Sequence, residues 1–161
     1  MNAPFVRSGQ DASRRAWTRA LETVSRATRD PRRTLPRAVA EWAAAYGDRP
    51  ALVGVEESYS FTRLSARINQ YARWALAQQI TKGATVALMM RNRPEYAAIW
   101  LGLTRVGAVV ALIGPELTGP ALAHALRVSE ARAAIASPEG AAAIREAGFD
   151  GPVWTFGPGE R

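Results

Sequence analysis

The sequence predicts an α/β fold with a mostly parallel sheet and flanking helices. Three observations carry this. From Lys82 onward, short apolar runs alternate with amphipathic or apolar stretches of helical length, ending on a strand. The runs are apolar at successive positions, as strands covered on both faces require. Start and stop residues bracket the intervening helices: Pro or a capping side chain in front of each, and Gly behind the first and the last.

Residues 1–34 read as a basic arm and linker, and 35–161 as the globular part. The chain has 161 residues and a formal charge of +7. Nine arginines against three acids lie between Met1 and Arg37, so six of those seven charges belong to the arm region. The high pI therefore says little about the remainder. Trp17, Leu21 and Val24 recur at helical spacing, with Arg15, Arg19, Arg26 and Arg29 largely on other faces. Such a helix can be self-docked or partly disordered, lie on an anionic membrane, or touch nucleic-acid phosphates. Nucleic acid is the least supported, because no stacking aromatics or reading motif accompany the arginines. The start lacks a secretory signal, and no apolar run reaches membrane-spanning length. The expected location is the cytoplasm, with peripheral contact at the inner face of the membrane as the option the arm leaves open.

Asp30-Pro31-Arg32-Arg33 breaks the first helix. A second is predicted over Pro36–Tyr46, with Val39, Trp42, Ala43 and Tyr46 as its apolar stripe and Gly47 beyond its end. Ala51–Val55 and Ser58–Phe61 flank Glu56-Glu57 as a hairpin. Thr62 is the expected N-cap of the next helix, whose face carries Leu64, Ile68, Tyr71 and Ala75. Val86–Met90 is the first sheet strand. Asn92 is the expected cap of a buried helix over Tyr96–Val106, with Pro94 in the first turn and Glu95 facing the positive dipole end. Gly107 ends it. Ala108–Ile113, Ala133–Ala136 and Pro152–Phe156 are the later strands. Thr118 and Ser137-Pro138-Glu139 open the helices between them, and Gly148 closes the last.

Composition excludes several chemistries. Cysteine is absent, so there is no disulfide, thiol nucleophile or thiolate metal site. No Gly-x-Gly-x-x-Gly, phosphate loop ending in Lys-Ser or Lys-Thr, or Gly-x-Ser-x-Gly elbow occurs. His124 is the one histidine, with no acid at i±3 or i±4 to orient it, so it reads as a capped or packed helical residue. Lys82, the one lysine, reads as a solvated turn residue. Trp17, Trp42, Trp74, Trp100 and Trp154 are dispersed and read as core or interface anchors. Asn92-Arg93-Pro94 follows the C-terminal end of a strand, where open α/β sheets gather ligands, although capping accounts for it without one. The residues themselves supply no catalytic, cofactor-binding or metal-binding set.

A family resemblance adds to this reading. Lys82–Tyr96 and Trp100–Ile113 resemble the early region of the adenylate-forming, AMP-binding acyl-CoA synthetases. Asn92-Arg93-Pro94-Glu95-Tyr96 together with Ile99-Trp100-Leu101-Gly102 is most similar to the long-chain fatty acid transport protein branch. Pro50–Val53, Ser58–Leu64 and Leu117–Leu126 resemble the same family, so the likeness covers roughly residues 35 to 156. Gly114-Pro115-Glu116 departs from it, standing where the family has a short Asn/Thr-containing turn. The resemblance implies a partial N-terminal subdomain of the acyl-adenylate synthetase fold. It also implies that complete members join a fatty acid to coenzyme A, using ATP and Mg²⁺. The family's phosphate loop, acidic Mg²⁺ ligand, ribose-binding Asp and mobile Lys have no matching positions here. The chain alone is therefore expected to be inactive. The alternative is a non-catalytic binding module whose arm meets a membrane or a partner.

Overall fold

A computed structural model describes residues 7–30 and 32–156. They fall into two units, Met1–Thr34 and Leu35–Arg161. The first holds one helix, α1 (Arg7–Arg29). Pro31 and the side chains of Arg26 and Arg29 lie outside the described residues.

The second unit opens with α2 (Leu35–Tyr46), a two-stranded antiparallel hairpin of β1 (Pro50–Val53) and β2 (Ser58–Ser60), and α3 (Phe61–Ala77). Then come β3 (Thr85–Met89), α4 (Pro94–Arg105), β4 (Val109–Ile113), α5 (Gly119–Val128), β5 (Ala133–Ala136), α6 (Pro138–Glu146) and β6 (Val153–Thr155). The last four strands form one parallel sheet in the order β4-β3-β5-β6. The predicted α/β architecture is therefore observed. Pro94 and Pro138 occupy the first turns of α4 and α6, where a missing N–H costs nothing. Gly107 and Gly148 end these helices at φ +83° and +78°, a conformation side chains with a Cβ resist.

Side chains of β3 alternate between two cores, as the pleat dictates. Val86 and Leu88 pack with Ile99 and Leu103 of α4 and with Ile135. Ala87 and Met89 pack with Leu122 and Leu126 of α5 and Ile144 of α6. A third cluster joins Val39, Tyr59, Leu64, Ile68, Ala98 and Leu101, seating α2 and the hairpin against α3 and α4. Gly102 allows the α3–α4 contact: a Cβ there would lie 2.4 Å from Tyr71 Cβ and 3.0 Å from the Ile68 carbonyl.

Several expectations are corrected. Ser60, not Thr62, caps α3: its extended backbone lets Oγ accept from the Arg63 N–H at 3.1 Å, so the helix begins before Thr62. Arg93, not Asn92, holds the N-cap position of α4, with no side-chain cap bond. Thr118 is the N-cap residue of α5 but also makes no side-chain cap bond. Trp42 and Tyr46 are exposed and meet Phe61, Trp42 edge-on and Tyr46 at a tilt, instead of entering the core. Val109 and Leu112 are exposed because β4 pairs through β3 alone. Trp17 is exposed, while Trp74 and Trp154 meet edge-to-face at 5.0 Å, so the tryptophans are neither all anchors nor all dispersed.

Candidate functional site

Strand order locates the site. From β3 the chain passes to β4 on one side, then returns to β5 on the other. That reversal leaves a crevice beyond the C-terminal ends of β3 and β5, where open α/β sheets place ligands. A cavity of about 610 Å³ occupies this position, lined by Met90, Arg91, Arg93, Ser137, Glu139 and Phe156 among others.

Local sequence builds its walls. Ser137 caps α6 by accepting from the Gly140 N–H at 3.2 Å. Gly140 lets the helix descend onto the sheet, because a Cβ there would lie 3.2 Å from both Ala136 Cβ and the Met89 carbonyl. The positive end of α6 thus borders the crevice. Arg91 and Arg93 follow β3 on the opposite side. Arg93 Nε donates to Glu57 Oε1 at 2.7 Å, and its guanidinium lies 5.7 Å from the Phe156 ring centroid. The hydrogen bond to Glu57 holds Arg93 above its ordinary pKa. Glu139 is held below the usual carboxylate range, first by its own backbone N–H, then by the Ser137 hydroxyl, with Arg91 contributing charge. Two cations, one ionised carboxylate and a helix N-terminus therefore share one concave surface. Such a surface can orient a polar or anionic group; its Ser137 hydroxyl is committed to the α6 cap and to Glu139, whose lowered pKa makes that carboxylate a weak base.

A second polar cluster supports it. Glu95, expected to face the positive dipole end of α4, stands in its first turn and is only 1% exposed. Its carboxylate accepts from the hydroxyls of Tyr59 and Tyr71 and pairs with Arg67. Arg67 also donates to Tyr71 Oη at 3.1 Å and to Gln70 at 2.7 Å. Burial pushes Tyr71 up to about 12. Burial also raises Tyr59, with the Glu57 charge adding to it. Pairing inside the protein offsets the cost of burying the Glu95 charge. The cluster ties β2, α3 and α4 together, while Arg93–Glu57 ties the hairpin to the α4 N-terminus.

The other candidates stay apart from the crevice. His124 is exposed, with Nδ1 2.9 Å from Arg127 Nη2, so it is surface-bonded and not packed. Lys82 is exposed in its turn, its stem against Gly107. Asn92 is exposed, whereas its neighbours Arg91 and Arg93 line the cavity. Among the described residues, no group of three or more His, Cys, Asp or Glu is placed to hold a metal ion.

The sequence profile of the AMP-binding enzyme family matches residues 39–152. The chain belongs to this family. Long-chain fatty acid transport protein 1 of Rattus norvegicus is 35% identical over 115 residues, covering 70% of this chain and 18% of that protein. Crotonobetaine/carnitine–CoA ligase of Citrobacter koseri is 35% identical over 102 residues, or 60% of this chain and 20% of the ligase. This chain thus spans about a fifth of the length of the curated relatives it matches. The anthranilate CoA ligase AuaEII, solved with anthranoyl-AMP, superposes with a TM-score of 0.71 at 19% identity, covering 78% of this chain and 25% of that one. The N-terminal subdomain of NpsA from Klebsiella oxytoca gives 0.60 at 22% identity, covering 63% and 26%. At those identities the two structures establish a shared fold: an N-terminal subdomain of adenylate-forming enzymes.

Sequence reasoning placed Ser137-Pro138-Glu139 at a helix start and Arg93 beside a strand end, but it did not join them. It missed the Glu95 cluster. The available signal was Glu95 one residue after a helix-opening Pro, followed by a helix that is apolar on nearly all sides.

Proposed function

We propose that this chain forms part of an ATP-dependent long-chain fatty acid–CoA ligase, with the β3–β5 crevice as one wall of its reaction site. The observation that carries this reading is the AMP-binding family match across residues 39–152. Rat long-chain fatty acid transport protein 1, and with it rat long-chain fatty acid transport protein 2 (32% identical over 129 residues, 79% of this chain and 21% of that protein), favour the fatty-acid branch. ATP, when bound, supplies the adenylyl group that activates a carboxylate for transfer to coenzyme A.

The described residues suit such a ligand only in part. Arg91, Arg93 and the α6 N-terminus favour an anion, and the ionised Glu139 opposes one. With no metal-holding cluster among the described residues, Mg²⁺ and the phosphates are assigned no ligands in this chain, and no step is derived through them. The contribution of this chain is positional. Glu57 fixes Arg93, Ser137 fixes the start of α6, and the packed sheet beneath holds both.

Two assays test the proposal. The purified chain should show only background fatty-acid-dependent ATP–pyrophosphate exchange, and turnover well above background would overturn its expected inactivity. Residues 39–152, grafted in place of the matching segment of the rat transport protein 1, should support palmitoyl-CoA formation. A folded graft that makes no acyl-adenylate would overturn the ligase reading.

A further inference from the structure

We propose that α1 is a membrane-surface helix that lies on anionic lipid. Trp17, Leu21 and Val24 are 68%, 53% and 60% exposed within one continuous helix. At 3.6 residues per turn, Ala20, Leu21 and Val24 fall within about 60° of Trp17, forming one apolar stripe. Arg15 and Arg19 fall on the opposite side, within about 20° of its centre, and Arg14 borders the stripe. Over Arg7–Arg29 there are six arginines against Asp11 and Glu22, so the helix carries a net charge of +4.

The two properties together select the partner. An exposed Trp-Leu-Val stripe gains from leaving water, and an indole suits the boundary between headgroup and acyl chain. The arginines complement anionic headgroups, and Arg14 at the border can extend its stem along the apolar surface while its head stays in the polar layer. A nucleic-acid backbone would use the charge and leave the stripe in water. A second copy of the helix would cover the stripe but bring two +4 helices together. Three large apolar side chains make a short anchor, so the charge must contribute: attachment should require anionic lipid. No helix among the described residues is long and apolar enough to cross a membrane, so α1 lies along the surface.

The test is co-sedimentation of the full chain with vesicles of equal parts phosphatidylglycerol and phosphatidylcholine, beside vesicles of phosphatidylcholine alone. The wild type should bind the mixed vesicles at least about ten-fold more tightly, and added salt should weaken it. Trp17→Ser with Leu21→Glu should abolish binding, and Arg15→Glu with Arg19→Glu should reduce it about ten-fold or more. Three results would each overturn the assignment: equal binding to both vesicle types, binding unaffected by Trp17→Ser with Leu21→Glu, or duplex DNA bound while mixed vesicles are not. A concentration-dependent dimer that is lost on Leu21→Glu, without lipid binding, would assign the stripe to a second copy and also overturn it.

Discussion

Arg67 of α3 and Glu95 of α4, 28 residues apart in sequence, form an ion pair whose two ends differ sharply in environment. The Glu95 side chain is 1% exposed and that of Arg67 33%. The carboxylate also accepts from Tyr59 and Tyr71, so three elements converge on one buried acid. This asymmetry makes the two halves of the pair unequal as mutational targets.

Arg67→Ala leaves a fully buried carboxylate with two phenols and no cation, and should cost about 3–5 kcal/mol. Glu95→Gln leaves Arg67 free to turn toward water and keeps hydrogen-bonding capacity for the phenols, so about 2 kcal/mol is expected. Urea denaturation of both variants should give that order. Glu95→Gln proving the more damaging would contradict the solvent access argued for Arg67.

Alkali should weaken the fold through Tyr71. Its folded-state pKa is raised to about 12 from an ordinary 10.0. A phenol raised in this way contributes stability that is complete below the unfolded value and is lost as pH rises through the folded one. Melting temperature should therefore fall between pH 10 and about 12. Tyr71→Phe should flatten that fall, with phenolate absorbance reporting the ionisation. An unchanged slope in the variant would remove Tyr71 as its source.

Gly102→Ala should destabilise despite the better helix propensity of alanine. The added methyl would lie 2.4 Å from Tyr71 Cβ and 3.0 Å from a backbone carbonyl, neither of which is the far end of a flexible side chain. Overpacking of this kind costs about 1–3 kcal/mol, more than the ~1 kcal/mol gained from propensity. Thermal denaturation should show a lower midpoint, and a higher one would mean that α3 and α4 separate easily.

The capping assignments are separable by mutation. Ser60→Ala should lose about 1 kcal/mol, and Thr62→Ala no more than about 0.5 kcal/mol, because Ser60 holds the cap bond. Ser137→Ala should lose a similar ~1 kcal/mol. It should also move the Glu139 pKa upward, since the Ser137 hydroxyl helps to hold that carboxylate low. Carboxyl NMR titration would detect the change, and a static Glu139 would mean the hydroxyl does not reach it.

Much of this was legible before any coordinates. The alternation after Lys82 yields the four parallel strands, and the Pro and Gly positions yield the helix limits to within a few residues. These are local properties: a pyrrolidine ring, a missing Cβ and the spacing of apolar side chains act within a turn or two of their own position. Ser60 against Thr62 shows where local reasoning fails. Both are good capping residues, and the choice belongs to the hairpin that holds Ser60 extended at the helix entrance.

The sequence by itself determined the α/β class, the family resemblance that the comparisons then established, and the concentration of charge in the arm region. Tertiary structure decided which residues share a site. Arg91 and Ser137 border one crevice because β3 and β5 are neighbours, and strand order depends on non-local pairing that no short window encodes. Glu95 looked like a dipole acid because its partners come from β2 and α3, distant in the chain. Only packing takes it out of water, and once it is buried its charge must be paired.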